Sequence, residues 1–153
     1  MIAAIAIVTF SPAAIASPVR ADAVCAIGKA LLHDIAIPAD SGNGPALLNP
    51  ERPTPSLFDR CPDLRQNLPQ GLKIADAETL ARASQHGPQS LDGDHIGVYQ
   101  IAPPEIKPGT NLATISVTYE CRGLCGQGLT FRYRKNADGV WVEDGKPRTN
   151  WVS

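Results

Sequence analysis

The chain has 153 residues, enough for one domain with a modest core and too few for two ordinary ones. Its 14 Lys and Arg against 15 Asp and Glu leave a formal net charge of −1, without the cationic excess of a nucleic-acid or polybasic membrane binder. A hydrophobic fraction of 43% is that of a folded globular protein and excludes global disorder.

Met1 to Ala16 reads as an apolar run, a Ser11-Pro12 break, and then small residues ending in Ala14-Ile15-Ala16. This is the plan of a secretory signal peptide, residues 1–16, with the small-x-small tripeptide as its cleavage signal. No Lys or Arg precedes the apolar stretch, which makes the signal atypical. A second small-x-small site lies after Ala23, in Ala21-Asp22-Ala23. Asp22 is placed to cap a helix beginning at Ala23, and cutting there would remove that cap, so Ala16 is favoured. The run is too short, and too broken by Pro12, to cross a bilayer. The mature chain, 17–153, then reads as a single secreted or periplasmic domain with no integral membrane segment.

Val24, Ile27, Leu31 and Ile35 recur at helical spacing, so a helix is expected from Asp22 to Ile35, weakened by Gly28. Residues 38–56 hold Pro38, Pro45, Pro50, Pro53 and Pro55 around Ser41-Gly42-Asn43-Gly44. Such a stretch sustains neither a helix nor a central strand, and a long loop is expected. Leu57 to Leu68 is short and broken at Cys61-Pro62. A second helix is expected from Asp76 to about Gln85, capped by Asp76, with Ala77, Leu80 and Ala81 on one side.

From Ile96 onward the pattern changes period. Gly97 to Ile101 reads as a strand ended by Pro103-Pro104. In Leu112 to Glu120, Ile115, Val117 and Tyr119 alternate with Thr114, Ser116 and Thr118. In Leu129 to Lys135, Phe131 and Tyr133 alternate with Arg132 and Arg134. Alternation of this kind marks half-buried antiparallel strands. Asn136 to Gly139 is a turn leading to Val140-Trp141-Val142, Asp144-Gly145 is a two-residue hairpin signal, and Arg148 to Val152 is a last strand. The expected fold is α+β: two N-terminal helices covering the apolar face of a C-terminal antiparallel meander of about four or five strands.

An even number of cysteines in a short chain with an apparent leader reads as a disulfide framework. The four are Cys25, Cys61, Cys121 and Cys125, and three pairings are open. Spacing favours Cys121 with Cys125, around a Gly-rich tip, leaving Cys25 to bridge to Cys61 across the proline-rich loop. Loop-closure entropy gives the long bridge about 4 kcal/mol and the short one about 2 kcal/mol, against roughly 5–15 kcal/mol of net stability for a domain.

Tyr119-Glu120-Cys121-Arg122-Gly123-Leu124-Cys125-Gly126-Gln127-Gly128, followed by Gly139-Val140-Trp141-Val142 and Trp151-Val152-Ser153, resembles a loose group of exported bacterial proteins of unknown function. In that group a strand ends in a C-x-x-L-C-G-x-G turn, then come a strand, a G-x-W and a final W-V-S or W-I-S. The resemblance covers about residues 112–153. It implies kinship and export, and no activity.

Several constellations bear on chemistry. Cys121-x-x-x-Cys125 has the spacing of a redox dithiol or a soft Cu(I) site. Such pairs sit at helix N-termini, where the dipole lowers the thiol pKa; here the pair lies between two expected strands, which favours a staple. His86, Asp92, Asp94 and His95 are the only local cluster of metal-ligand types, and their spacing matches no zinc or calcium pattern. No G-x-S-x-G elbow accompanies the three histidines, and the glycines at 123, 126 and 128 open no helix as a phosphate loop would. Arg132, Arg134 and Lys135 suggest a basic stripe, which reads better as a solvated sheet face. No catalytic, metal or cofactor residues are therefore assigned. The expected function is a non-enzymatic envelope module that binds another protein or a small ligand. The alternatives are thiol redox or copper handling by Cys121 and Cys125, and a hydrolase with dispersed residues.

Overall fold

The computed structural model describes residues 18–36, 45–84, 97–121 and 126–153. The N-terminal apolar run expected as a signal peptide, His86, Asp92, Asp94, His95 and Cys125 lie outside them. Among the described residues eight strands form one mixed sheet that curls into a half-barrel, accompanied by four helices.

Helix α1 runs from Pro18 to Ile35. Proline suits the first helical turn, because the N–H it lacks would have no intrahelical acceptor there. The expected start at Ala23 is therefore corrected: Asp22 lies inside α1, is exposed, and is not its cap. One face of the helix buries Ile27, Leu31 and Leu32 completely or nearly so. Gly28 is buried on the same side. A Cβ there would come within 2.6 Å of Leu57 Cδ1 and 3.1 Å of Leu64 Cδ1, so the glycine is what lets the next two helices close on α1.

The proline-rich stretch is not all loop. Ala46–Asn49 forms β1, a four-residue strand lying between Pro45 and Pro50, with Ala46, Leu48 and Asn49 buried. The prolines bracket the strand rather than interrupt it, so none removes a donor from its ladder. Ser56 then caps the short helix α2, Leu57–Arg60: its hydroxyl accepts from Asp59 N at 3.1 Å and donates to Pro50 O at 2.7 Å. The Asp59 carboxylate accepts from Ser56 N at 2.7 Å, and these bonds hold its pKa below the usual carboxylate range. Helix α3, Asp63–Gln66, follows, then β2, Leu72–Ile74. Helix α4, Ala77–Ala83, is capped by Asp76, which accepts from Thr79 N at 2.8 Å, as its sequence signals.

Strand β3 is Gly97–Ile101 and β4 is Glu105–Ile106; both pair antiparallel with β5, Leu112–Cys121, along one edge. Pro103 and Pro104 break what is otherwise one strand, and Ala102 N still donates to Ser116 O at 3.0 Å. Strand β6, Gln127–Lys135, pairs with the other edge of β5. Its far edge carries β7, Trp141–Glu143, and β8, Arg148–Val152.

Here the Asp144-Gly145 expectation fails. The chain does not turn back; β7 and β8 run in the same direction along β6, joined by an excursion in which Asp144 N donates to Arg132 O at 2.8 Å and Gly145 takes φ +84°. A dipeptide that tolerates positive φ marks a bulge as readily as a hairpin. The Asn136–Gly139 turn forms as expected, with Asn136 Oδ1 accepting from Val140 N at 2.8 Å and Gly139 at φ +80°.

The antiparallel rows (β3 with β4, β5, β6, and β7 with β8) realise the expected meander, in part. Two further strands extend it: β1 pairs parallel with β3, and β2 parallel with β1. The placement of the helices is also corrected. Helices α1, α2 and α3 cover one face of the sheet, where Leu48, Ile101, Ile115, Val117, Phe131, Tyr133 and Trp141 meet Ile27, Leu31, Leu57 and Phe58. Helix α4 packs on the opposite face, through Leu80 and Ala83 against Leu47 and Val98.

Two long-range ties bind α1 to this assembly. Cys25 is disulfide-bonded to Cys61 at the end of α2, with a Cα–Cα distance of 5.5 Å. Tyr133, fully buried on β6, donates its hydroxyl to Asp34 Oδ2 at 2.5 Å. Burial, with the Asp34 bond and charge, pushes the Tyr133 phenol far above its ordinary range.

Replacing both Cys25 and Cys61 with serine is expected to lower unfolding stability by about 4 kcal/mol, since the bridge spans a 36-residue separation. Urea unfolding of the two proteins checks this, and a loss under about 1 kcal/mol refutes it. A phenol held neutral in the fold stabilises fully below its unfolded pKa near 10, and that stability is lost as pH rises past it. Unfolding midpoints between pH 9 and 11 should therefore fall less steeply for Tyr133→Phe than for the parent; parallel curves would contradict the assignment.

Candidate functional site

The strand alternation that builds the core also builds the opposite surface. On β5 and β6 the rows pointing away from α1 are Leu112, Thr114, Ser116 and Thr118, and Thr130, Arg132 and Arg134. Over β1 and β3 this face is covered by α4; further along it is exposed.

At the exposed end a cavity of about 440 Å³ is bounded by Ile106, Pro108, Leu112, Thr114 and Tyr133, with Glu105, Lys107, Arg132 and Asp144 at its polar positions. The β4–β5 turn builds one wall. Lys107 O accepts from Thr110 N at 3.2 Å and from Thr110 Oγ1 at 2.9 Å, and Lys107 N donates to Leu112 O at 3.0 Å. The β7–β8 excursion supplies Asp144, and a Cβ at Gly145 would lie 3.0 Å from Arg132 Nη2. Asp144 is engaged by Arg134, Nη2 to Oδ1 at 3.3 Å. Among the described residues no ion pair engages Lys107 or Arg132, so two cations face one uncommitted carboxylate, that of Glu105. The cavity combines an apolar wall with two cations and two carboxylates, of which Asp144 is paired with Arg134. Its size is within the range of small-molecule sites, which starts at roughly 300 Å³. The Tyr133 side chain points to the α1 face, where its hydroxyl is engaged by Asp34, so it offers this cavity no polar group.

A smaller cavity of about 270 Å³ lies beside α4 on the same face, with Asn49, Arg52, Leu80, Val98, Gln100 and Glu120 among its boundaries.

The residues singled out by sequence fall in different places. Cys25 and Cys61 are joined. Cys121 ends β5, is buried, and is itself disulfide-bonded; Cys125 lies outside the described residues. Of the histidines, His33 is described, and it stands exposed in the last turn of α1. Among the described residues no three His, Cys, Asp or Glu side chains converge as a metal site. The basic stripe does not form as one surface: Arg132 and Arg134 share the exposed row, Arg134 is ion-paired, and Lys135 belongs to the other row, opposite Trp141.

Two elements of the C-terminal sequence, Gly126-x-Gly128 and Trp151-x-Ser153, lie against each other. The Trp151 indole lies over Gly126 and Gly128, where a Cβ would come within 3.0 Å of Cζ3 and 2.2 Å of Nε1 respectively. Ser153 pairs with Gly126 through its N–H, 2.9 Å from Gly126 O, and through its hydroxyl, which accepts from Gly126 N at 3.0 Å. The G-x-G glycines thus make room for the tryptophan, and the serine fastens the last strand. Their role is structural, and it is distinct from either cavity.

The cavity residues Glu105, Lys107, Asn49 and Gln100 escape sequence reading. The one visible signal is a polar residue inside an apolar strand, Gln100 in Gly97–Ile101 and Asn49 after Ala46-Leu47-Leu48. Their juxtaposition follows from parallel pairing, which no local pattern announces. Among the described residues no helix is long and apolar enough to cross a membrane. No family model, curated protein or solved structure matches this chain.

Proposed function

We propose that this protein is an exported, non-enzymatic binding module of the cell envelope, whose cavity beside the β4–β5 turn holds a small amphipathic anion. The observation that carries this reading is the cavity itself: an apolar wall of Pro108 and Leu112 next to Lys107 and Arg132, with Asp144 occupied by Arg134. An apolar body desolvates against the wall while an acidic group meets the cations, Arg132 being the natural bidentate partner of a carboxylate or sulfonate. Export is supported by the apolar leader segment and by the Cys25–Cys61 bridge, a bond that persists in oxidising compartments. The bonded state of Cys121 favours a staple over a working dithiol.

Export is checked by intact mass of the protein produced from its full sequence and recovered from the periplasm or medium. The expected mass lacks residues 1–16 and gains no alkyl groups until the disulfides are reduced. Recovery of the unprocessed, alkylatable chain from the cytoplasm alone would overturn it. The cavity is checked with anilinonaphthalene sulfonate, an apolar fluorophore with one anionic group. It should bind the folded protein saturably with 1:1 stoichiometry. Thr114→Trp, which fills the cavity from an exposed strand position, and Arg132→Ala should each weaken it by about tenfold or more, the loss of one charge-assisted contact. Dye affinity unchanged in both variants would remove this site.

A further inference from the structure

The cavity beside α4 has a different chemistry. Asn49 on β1 and Gln100 on β3 are register partners, so their side chains emerge side by side on the face that α4 covers. They are 8% and 7% exposed, and both border the cavity of about 270 Å³. Asn49 Oδ1 accepts from Glu51 N at 3.1 Å. Among the described residues no hydrogen bond engages the Gln100 amide. Its lateral neighbours on this face are Asn49 and Thr118, and a buried amide without a protein partner costs its desolvation, so a fold under no other demand would hold leucine there. The rim carries both signs of charge. Arg52, Glu51 and Glu120 border the cavity, and among the described residues none of the three is held in an ion pair. Leu80 and Val98 supply an apolar flank.

We propose that this cavity binds a free amino acid as a zwitterion, its carboxylate on Arg52, its ammonium on Glu120, and a terminal amide paired with Gln100 and Asn49. A primary amide can pair through one N–H and its oxygen with Gln100, and its oxygen can still accept from the Nδ2 of Asn49. The volume lies just below the usual range for small-molecule pockets, which suits a ligand of amino-acid size. The site is separate from the cavity assigned to an amphipathic anion and does not depend on it.

Isothermal titration of the mature, oxidised protein with each of the twenty free amino acids tests this. L-glutamine or L-asparagine should bind 1:1 and most tightly. Gln100→Leu and Glu120→Gln should each weaken that binding tenfold or more, while Thr114→Trp in the other cavity leaves it unchanged. Gln100→Leu should also melt at or above the parent temperature, because it removes a buried amide that the protein itself does not satisfy. Absence of heat with all twenty, affinity that survives both substitutions, or a lowered melting temperature for Gln100→Leu would each overturn the assignment.

Discussion

Helix α1 lies against one face of a curled sheet, and the remaining elements are arranged around that contact. Ile27, Leu31 and Leu32 are buried in the same core as Ile115, Val117, Phe131, Tyr133 and Trp141. Each such side chain removed from water stabilises the fold by roughly 1.5–3 kcal/mol. The contact is made close by Gly28 and held by two ties distant in sequence, the Cys25–Cys61 bridge and the Tyr133–Asp34 hydrogen bond. The helix is thereby fastened both to the neighbouring short helices and to a central strand. This explains how a segment as proline-rich as 45–55 is accommodated: it contributes one short buried strand and the Ser56 cap, and the bridge closes the loop it sits in.

Covering one face of the sheet leaves the other available. Because β-strand side chains alternate, the residues that fill the core on β5 and β6 oblige their neighbours to form a polar, exposed surface. Both cavities open on that side, and each is made by an irregularity in the sheet. One lies beside the β4–β5 turn and the β7–β8 excursion, where prolines and a positive-φ glycine break the ladders. The other lies where α4 meets the parallel pair β1 and β3. Regular pairing fixes the positions of these walls, and the interruptions give them depth.

The period of the sequence was enough to place α1, α4 and the strands from Gly97 onward, because in each the apolar residues recur at the spacing of one buried face. Spacing also favoured the Cys25–Cys61 pair. Turn chemistry was less informative. Asn136–Gly139 forms a hairpin, whereas Asp144-Gly145 is compatible with either a reversal or an excursion, and the free edge of β6 lets β8 continue beyond β7. Strand β1 was hidden because four residues between prolines carry no period, and its identity comes from the strands it pairs with. The cavity residues were hidden for the same reason. Glu105, Lys107 and Arg132, or Asn49 and Gln100, are unremarkable singly, and only the ladders bring them to common places.

By itself, then, the sequence determined the local elements and their buried faces, since these follow from side-chain periodicity, capping residues and turn residues that act within a few positions. It also carried a cysteine spacing that anticipates the Cys25–Cys61 bridge. The tertiary structure decided the rest: that two strands join the sheet in parallel, that α1 and α4 take opposite faces, that β7 and β8 continue along one edge, and that charged and amide side chains from separate strands meet in two cavities. These outcomes depend on hydrogen-bond pairing and burial between residues far apart in the chain, interactions that leave no imprint on neighbouring positions of the sequence.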